Sequence, residues 1–193
     1  MKIIKTETQD KLNLTGFISH TDNKENIIVH IHGMAGDPYT NNWYSYFHDK
    51  FPKNNYAFLV GNHRGTGSIT SFAKNNKPVN IGNAFELFED SYYDIKAWVN
   101  LAFELGYKNI YLQAHSLGPS KVVYFMNNYD DIDKIKGLIL ISPVDMLGLV
   151  MSDAKSYNKL LSESKKLLSE NKDNILLSNL VFEEYPMSAK SFF

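Results

Sequence analysis

Two rhythms of apolar residues run through this chain. Ile27–His32, Tyr56–Val60, Ile110–Ala114 and Ile135–Ile141 are short, nearly continuous apolar runs, and each stops at or close to a Gly or Ser. Runs of that length and composition predict strands buried on both faces. Between these runs the spacing becomes helical. Phe88, Tyr92, Ile95, Val99, Ala102 and Phe103 recur on one side of a helix, which Gly106 closes. Trp43–Lys50 and Leu117–Asn127 read as further helices. Pro119 is acceptable in the second, because the first helical turn needs no intrahelical N–H. Lys2–Thr8 and Leu12–Ser19 alternate weakly around Gln9-Asp10-Lys11 and predict an antiparallel hairpin. After Leu149 the chain turns polar. Asp153–Asn171 is rich in Lys, Ser and Glu, with Tyr157, Leu160, Leu161, Leu167 and Leu168 along one side. The element order predicts an α/β fold: a mostly parallel central sheet, an N-terminal antiparallel hairpin and helices on both faces. Residues 1–148 form the expected core and 149–193 a helical cap or lid.

Composition narrows the function classes. A length of 193 residues suits one such core with a small appendage. The formal net charge of −1 gives no electrostatic case for nucleic acid or an anionic membrane. There is no cysteine, so disulfides and thiolate-bound metal are excluded. The N-terminus, Met1-Lys2-Ile3-Ile4-Lys5, lacks the long apolar stretch of a signal peptide, and no run reaches membrane-spanning length. A cytoplasmic protein is the expectation. His30 and His32 share one strand face, but no third ligand is placed to complete a metal site. Gly65-Thr66-Gly67 lacks the rest of a nucleotide-binding fingerprint, so no cofactor is expected.

The stretch with most chemical content is Ile110-Tyr111-Leu112-Gln113-Ala114-His115-Ser116-Leu117-Gly118. It predicts a strand that turns sharply into a helix and lifts a serine hydroxyl above the sheet. The residues two before and two after that serine must be small, and Ala114 and Gly118 are.

Four motifs in order resemble the α/β-hydrolase fold, in its serine-peptidase-like and esterase-like branch. They are His32-Gly33-Met34-Ala35-Gly36 after a strand, Asn62-His63-Arg64-Gly65-Thr66-Gly67, Ala114-His115-Ser116-Leu117-Gly118, and Leu138-Ile139-Leu140-Ile141-Ser142-Pro143-Val144-Asp145. The resemblance implies Ser116 as nucleophile, with the backbone N–H groups of Met34 and Leu117 as an oxyanion hole. It implies Asp145 as a candidate orienting carboxylate. His32, Gly33, His63 and His115 are the residues expected around the substrate, which would be a small acyl compound such as an ester. Ala114 stands where the family pattern has its first Gly.

The resemblance also implies two further strands whose loops bring an acid and a histidine. No histidine follows His115, and the sequence ends at Ser191-Phe192-Phe193. The expectation is a C-terminally shortened hydrolase with an open sheet edge, through which two copies would pair, and with impaired turnover. The alternative is a non-catalytic protein of the same fold that binds a ligand or partner in the same pocket.

Overall fold

The computed structural model describes residues 1–193. Its main sheet has six strands: β1 (Lys2–Glu7), β2 (Asn13–Ser19), β3 (Asn26–Ile31), β4 (Tyr56–Gly61), β7 (Asn109–His115) and β8 (Ile135–Ile141). Their order is β1-β2-β4-β3-β7-β8. β1, β2 and β4 pair antiparallel in sequence, while β4, β3, β7 and β8 run parallel. β5 (Ser71–Lys74) and β6 (Lys77–Asn80) form a separate hairpin. The sequence reading passed over it.

Alternation along the strands sorts residues onto the two faces. Ile28, Phe58 and Val60 meet Tyr44 of α1 (Asn42–Lys53). Val29, Ile31, Leu59, Leu112 and Ala114 point the other way, into the larger core. There they join Ile95, Trp98 and Val99 of α2 (Ser91–Glu104) and Val122 and Phe125 of α3 (Gly118–Asn128). Gly61 is required by this packing, since a Cβ there would lie 2.1 Å from Trp98 Cζ2.

The chain moves from β3 outward to β4, then returns to β7 on the other side of β3. Strand order therefore reverses at β3/β7, and the crevice above such a reversal is where α/β sheets bind ligands. Ile31 is in register with Ala114, so the loops leaving β3 and β7 emerge side by side.

β8 is the sheet's last strand, and Leu138, Ile139 and Leu140 are about two-fifths exposed (41%, 38% and 41%). Beyond it lie α4 (Met146–Met151), α5 (Ala154–Ser169) and α6 (Ala189–Phe192). This segment has its own small cluster of Leu160, Leu177, Val181 and Ala189. It returns to the core where Ser188 N–H donates to Ala84 C=O at 2.7 Å. No helix is long and apolar enough to cross a membrane.

Candidate active site

Ser116 sits in the two-residue turn between β7 and α3, with φ of +58°. A side chain other than glycine in that region is strained, and such strain clusters at functional sites. Its N–H donates to Ile141 C=O at 3.1 Å, which ties the turn to the end of β8. The turn is possible because its neighbours are small. Ala114 is fully buried, and a Cβ on Gly118 would lie 2.5 Å from Ile31 C=O.

The loop after β3 meets the serine directly. A Cβ on Gly33 would stand 2.8 Å from Ser116 Cβ and 3.3 Å from its Oγ. Gly36 N–H closes the loop onto Gly33 C=O at 3.2 Å. The N–H groups of Met34 and Leu117 are taken up by no backbone carbonyl. Replacing Gly33 with alanine is therefore expected to push the serine aside and slow its modification by a phosphonylating probe at least about tenfold, since misplacement by about 1 Å costs far more than that in well-aligned reactions. The rate of probe attachment, measured beside a melting curve that reports the fold, checks this.

No histidine hydrogen-bonds Ser116. His20 meets Tyr107 Oη and His48 meets Ser19 Oγ. His30 pairs through Nδ1 with Gln113 Oε1 at 2.8 Å, and Tyr44 Oη lies 3.3 Å from its Nε2. His32 Nδ1 is 2.9 Å from Gly33 C=O, and its Nε2 is 2.9 Å from Thr66 Oγ1. A carbonyl only accepts, so Nδ1 carries the proton and Nε2 accepts from Thr66. His63 Nε2 donates to His32 C=O at 3.3 Å, its ring stacks on His32 with centroids 3.6 Å apart, and its Nδ1 is buried without a partner. His115 packs edge-on against Trp43, centroids 5.1 Å apart. His32 and His63 are thus packed beneath the loop after β3, 1% and 2% exposed, rather than open to solvent. Burial pushes His32 down to about 3 and His63 well below its ordinary value, so both are neutral near pH 7.

Asp145 follows β8 on the side of the sheet where Ser116 lies. It is exposed and caps α4, its Oδ1 accepting from Gly148 N–H at 2.9 Å. No group of three or more His, Asp or Glu side chains converges as a metal cluster would.

Two buried ion pairs behind the site were missed from sequence. Arg64 is clasped by Asp94, Asp10 and Asp90. Lys121 of α3 reaches both oxygens of Glu86, at 2.9 and 2.7 Å. A signal existed for each. Asp94 interrupts the apolar side of one helix and Lys121 that of another, and a charge in such a place needs a partner.

Residues 22–183 match the Hydrolase_4 family, described as serine aminopeptidase, S33. The chain belongs to this family. Its mostly parallel central sheet with flanking helices is that of an α/β-hydrolase, as the four motifs implied. No curated protein sequence matches the chain. Among solved structures it is similar to esterase Pf2001 of Pyrococcus furiosus, with 17% identity, 88% of this chain and 58% of that one covered, and a TM-score of 0.56. It is also similar to Est1E of Butyrivibrio proteoclasticus bound to ferulic acid, at 20% identity, with coverages of 78% and 56% and a TM-score of 0.57. A highly thermostable carboxyl esterase from Bacillus coagulans, in complex with glycerol, matches at 16% identity, with coverages of 90% and 52% and a TM-score of 0.60. At these identities the likeness is one of fold. The chain spans little more than half the length of each of these three proteins.

Proposed function

We propose that this chain carries the nucleophile and oxyanion hole of a serine hydrolase acting on an ester or related acyl compound. The observation that supports this most is Ser116, held at positive φ on the strand-to-helix turn with Gly33 pressed against it. Ser116 Oγ attacks the carbonyl carbon. The carbonyl π electrons move onto oxygen, where the free N–H groups of Met34 and Leu117 receive the charge. Collapse of the tetrahedral adduct expels the alcohol and leaves an acyl-serine, which water then cleaves. The esterases named above share this chain's fold, which favours an ester over an amide as the first substrate class to try. Residues 149–193 act as a cap over the crevice. Asp145 is the carboxylate that would orient a base brought to this end of the sheet.

The serine proton needs an acceptor, and none of the six histidines of this chain hydrogen-bonds Ser116. In a well-studied serine hydrolase, loss of the histidine costs roughly 10⁶ in turnover. Turnover by these 193 residues alone is therefore expected to be close to background. The same observation supports the second reading, a protein that binds a ligand at the elbow without turning it over.

A fluorophosphonate probe separates the two. The hydrolase reading expects slow labelling of the intact chain and none of Ser116→Ala. Equal labelling of both proteins, or none of either after prolonged exposure, would leave only the binding reading.

A further inference from the structure

Three segments of the molecule converge on one residue, Glu86. Glu86 lies in the turns that precede α2. Its side chain, with the residue 6% exposed, receives both hydrogen bonds of the Lys121 ammonium, itself 1% exposed. Lys121 is one helical turn beyond Leu117, and its N–H bonds Leu117 C=O. The same carboxylate presses flat against the Asn62–Gly67 loop, where a Cβ on Gly65 would lie 2.2 Å from Oε1. On the main-chain side, Glu86 C=O accepts from Ser191 Oγ of the C-terminal segment.

A fully buried ion pair is a poor stabiliser, because desolvating both charges offsets their attraction. Packed apolar groups would hold these segments together as well. What the pair adds is a specific short tie, Lys121 Nζ to both Glu86 oxygens at 2.9 and 2.7 Å, which joins α3 to the turns before α2.

We propose that Glu86 and Lys121 are positioning residues for the elbow. They fix the first turn of α3 against the Asn62–Gly67 loop and so set where Leu117 N–H and Ser116 Oγ stand relative to the loop after β3. The consequence for the reaction rests on the reading of Ser116 as nucleophile, whereas the placement of the turn does not. Neither side chain is given contact with substrate. Gly65 follows from the same arrangement, since no side chain fits between its backbone and the carboxylate.

The test compares the intact chain with Glu86→Gln and with the double variant Glu86→Leu/Lys121→Met, using backbone amide spectra and hydrogen exchange. Glu86→Gln strands the Lys121 charge and should lower the melting point, but it keeps one oxygen for Lys121 and so should move the amides of Ser116, Leu117 and Ser120 less than the double variant does. The double variant removes the pair without stranding a charge, so its melting point should stay close to that of the intact chain. Its elbow amides should nevertheless shift, and Ser120 and Lys121 should exchange about tenfold faster while β3 and β7 keep their protection. Unmoved elbow amides in the double variant would overturn the proposal. So would protection lost evenly over the whole sheet, or failure of the double variant to fold, because either marks the pair as a general support rather than a local one. Probe labelling of Ser116 is read separately. An intact chain that never labels defeats the nucleophile reading, while the amide pattern still decides whether the pair positions the turn.

Discussion

Arg64→Met should lower the folding free energy by roughly 3–5 kcal/mol, the usual cost of leaving one member of a buried pair uncompensated. The reason lies in Asp94 more than in the arginine. The Arg64 side chain is 3% exposed and that of Asp94 1%. Asp94 takes Arg64 Nε at 3.0 and 3.2 Å, Nη2 at 2.9 Å and the Arg64 N–H at 2.8 Å. Methionine leaves only the last of these, and the carboxylate stays buried in α2. The other two acids suffer less. Asp10 keeps Lys74 at 2.7 Å, and Asp90 is 37% exposed and finds water. The ionisation behaviour agrees with this division. Burial raises Asp94 above its ordinary value despite the arginine beside it. Asp10 is held far below its own by Lys74, Thr8 and Arg64, although burial works in the other direction. Adding Asp94→Asn to Arg64→Met should recover at least about half of the loss, because an amide strands no charge. Urea midpoints of the three proteins decide it. If Arg64→Met falls within about 0.5 kcal/mol of the parent, as an ordinary surface substitution does, then the pair does not carry this part of the fold.

The sheet was legible in the sequence because its parallel strands are buried on both faces and therefore read as unbroken apolar runs. The elbow was legible for a steric reason, as only small residues fit at 114 and 118. What escaped had local signals too short to stand out, or depended on distant partners. Asn75-Asn76 is a good hairpin turn, and both residues adopt positive φ, at 52° and 60°. Its strands, Ser71–Lys74 and Lys77–Asn80, are four residues each and mostly polar, so no alternation announces them. The helix expected from Phe88 starts at Ser91. Phe88 is apolar because it meets Tyr124, centroids 5.5 Å apart, and not because it is helical. Asp145 reads equally well as a catalytic acid or a cap, since both place a carboxylate after a strand, and its bond to Gly148 N–H shows the cap. Arg64 sits in a short polar loop, and nothing local marks its partner Asp94, 30 residues on.

Mild acid should unfold this protein. His30, His32 and His63 are 0%, 1% and 2% exposed. Burial holds His30 at about 4 and His32 at about 3, against an ordinary 6.5, and holds His63 well below that value. The sign follows from where the proton goes. Below 6.5 the unfolded chain binds a proton at each site and the folded chain does not, so falling pH favours unfolding. The stability is complete above 6.5 and is lost as pH drops toward the folded-state values. Each histidine contributes about 1.4 kcal/mol per pH unit within that window. Near pH 5 His30 and His32 together remove about 4 kcal/mol, close to the entire stability of a marginal domain at about 5 kcal/mol, and His63 adds in the same direction. Surrounding charges do not reverse this. Lys121 and Arg64 bear on His63, Lys121 on His32 and His115 on His30, all disfavouring protonation, and only Asp37 near His32 works the other way. The raised Asp94 has the opposite sign, since its folded form holds a proton more tightly than the unfolded chain. It is one group against five histidines that burial lowers, His20 and His48 among them. The urea midpoint should therefore collapse between about pH 6.5 and pH 5, well above the range in which carboxylates titrate. His30→Gln, which keeps a polar partner for Gln113 and Tyr44, should flatten the slope by about 1.4 kcal/mol per pH unit. A midpoint that holds steady from pH 7 to 5 would mean that these rings take up protons while still folded. The stacked, neutral arrangement of His32 and His63 beneath the loop after β3 would then be wrong.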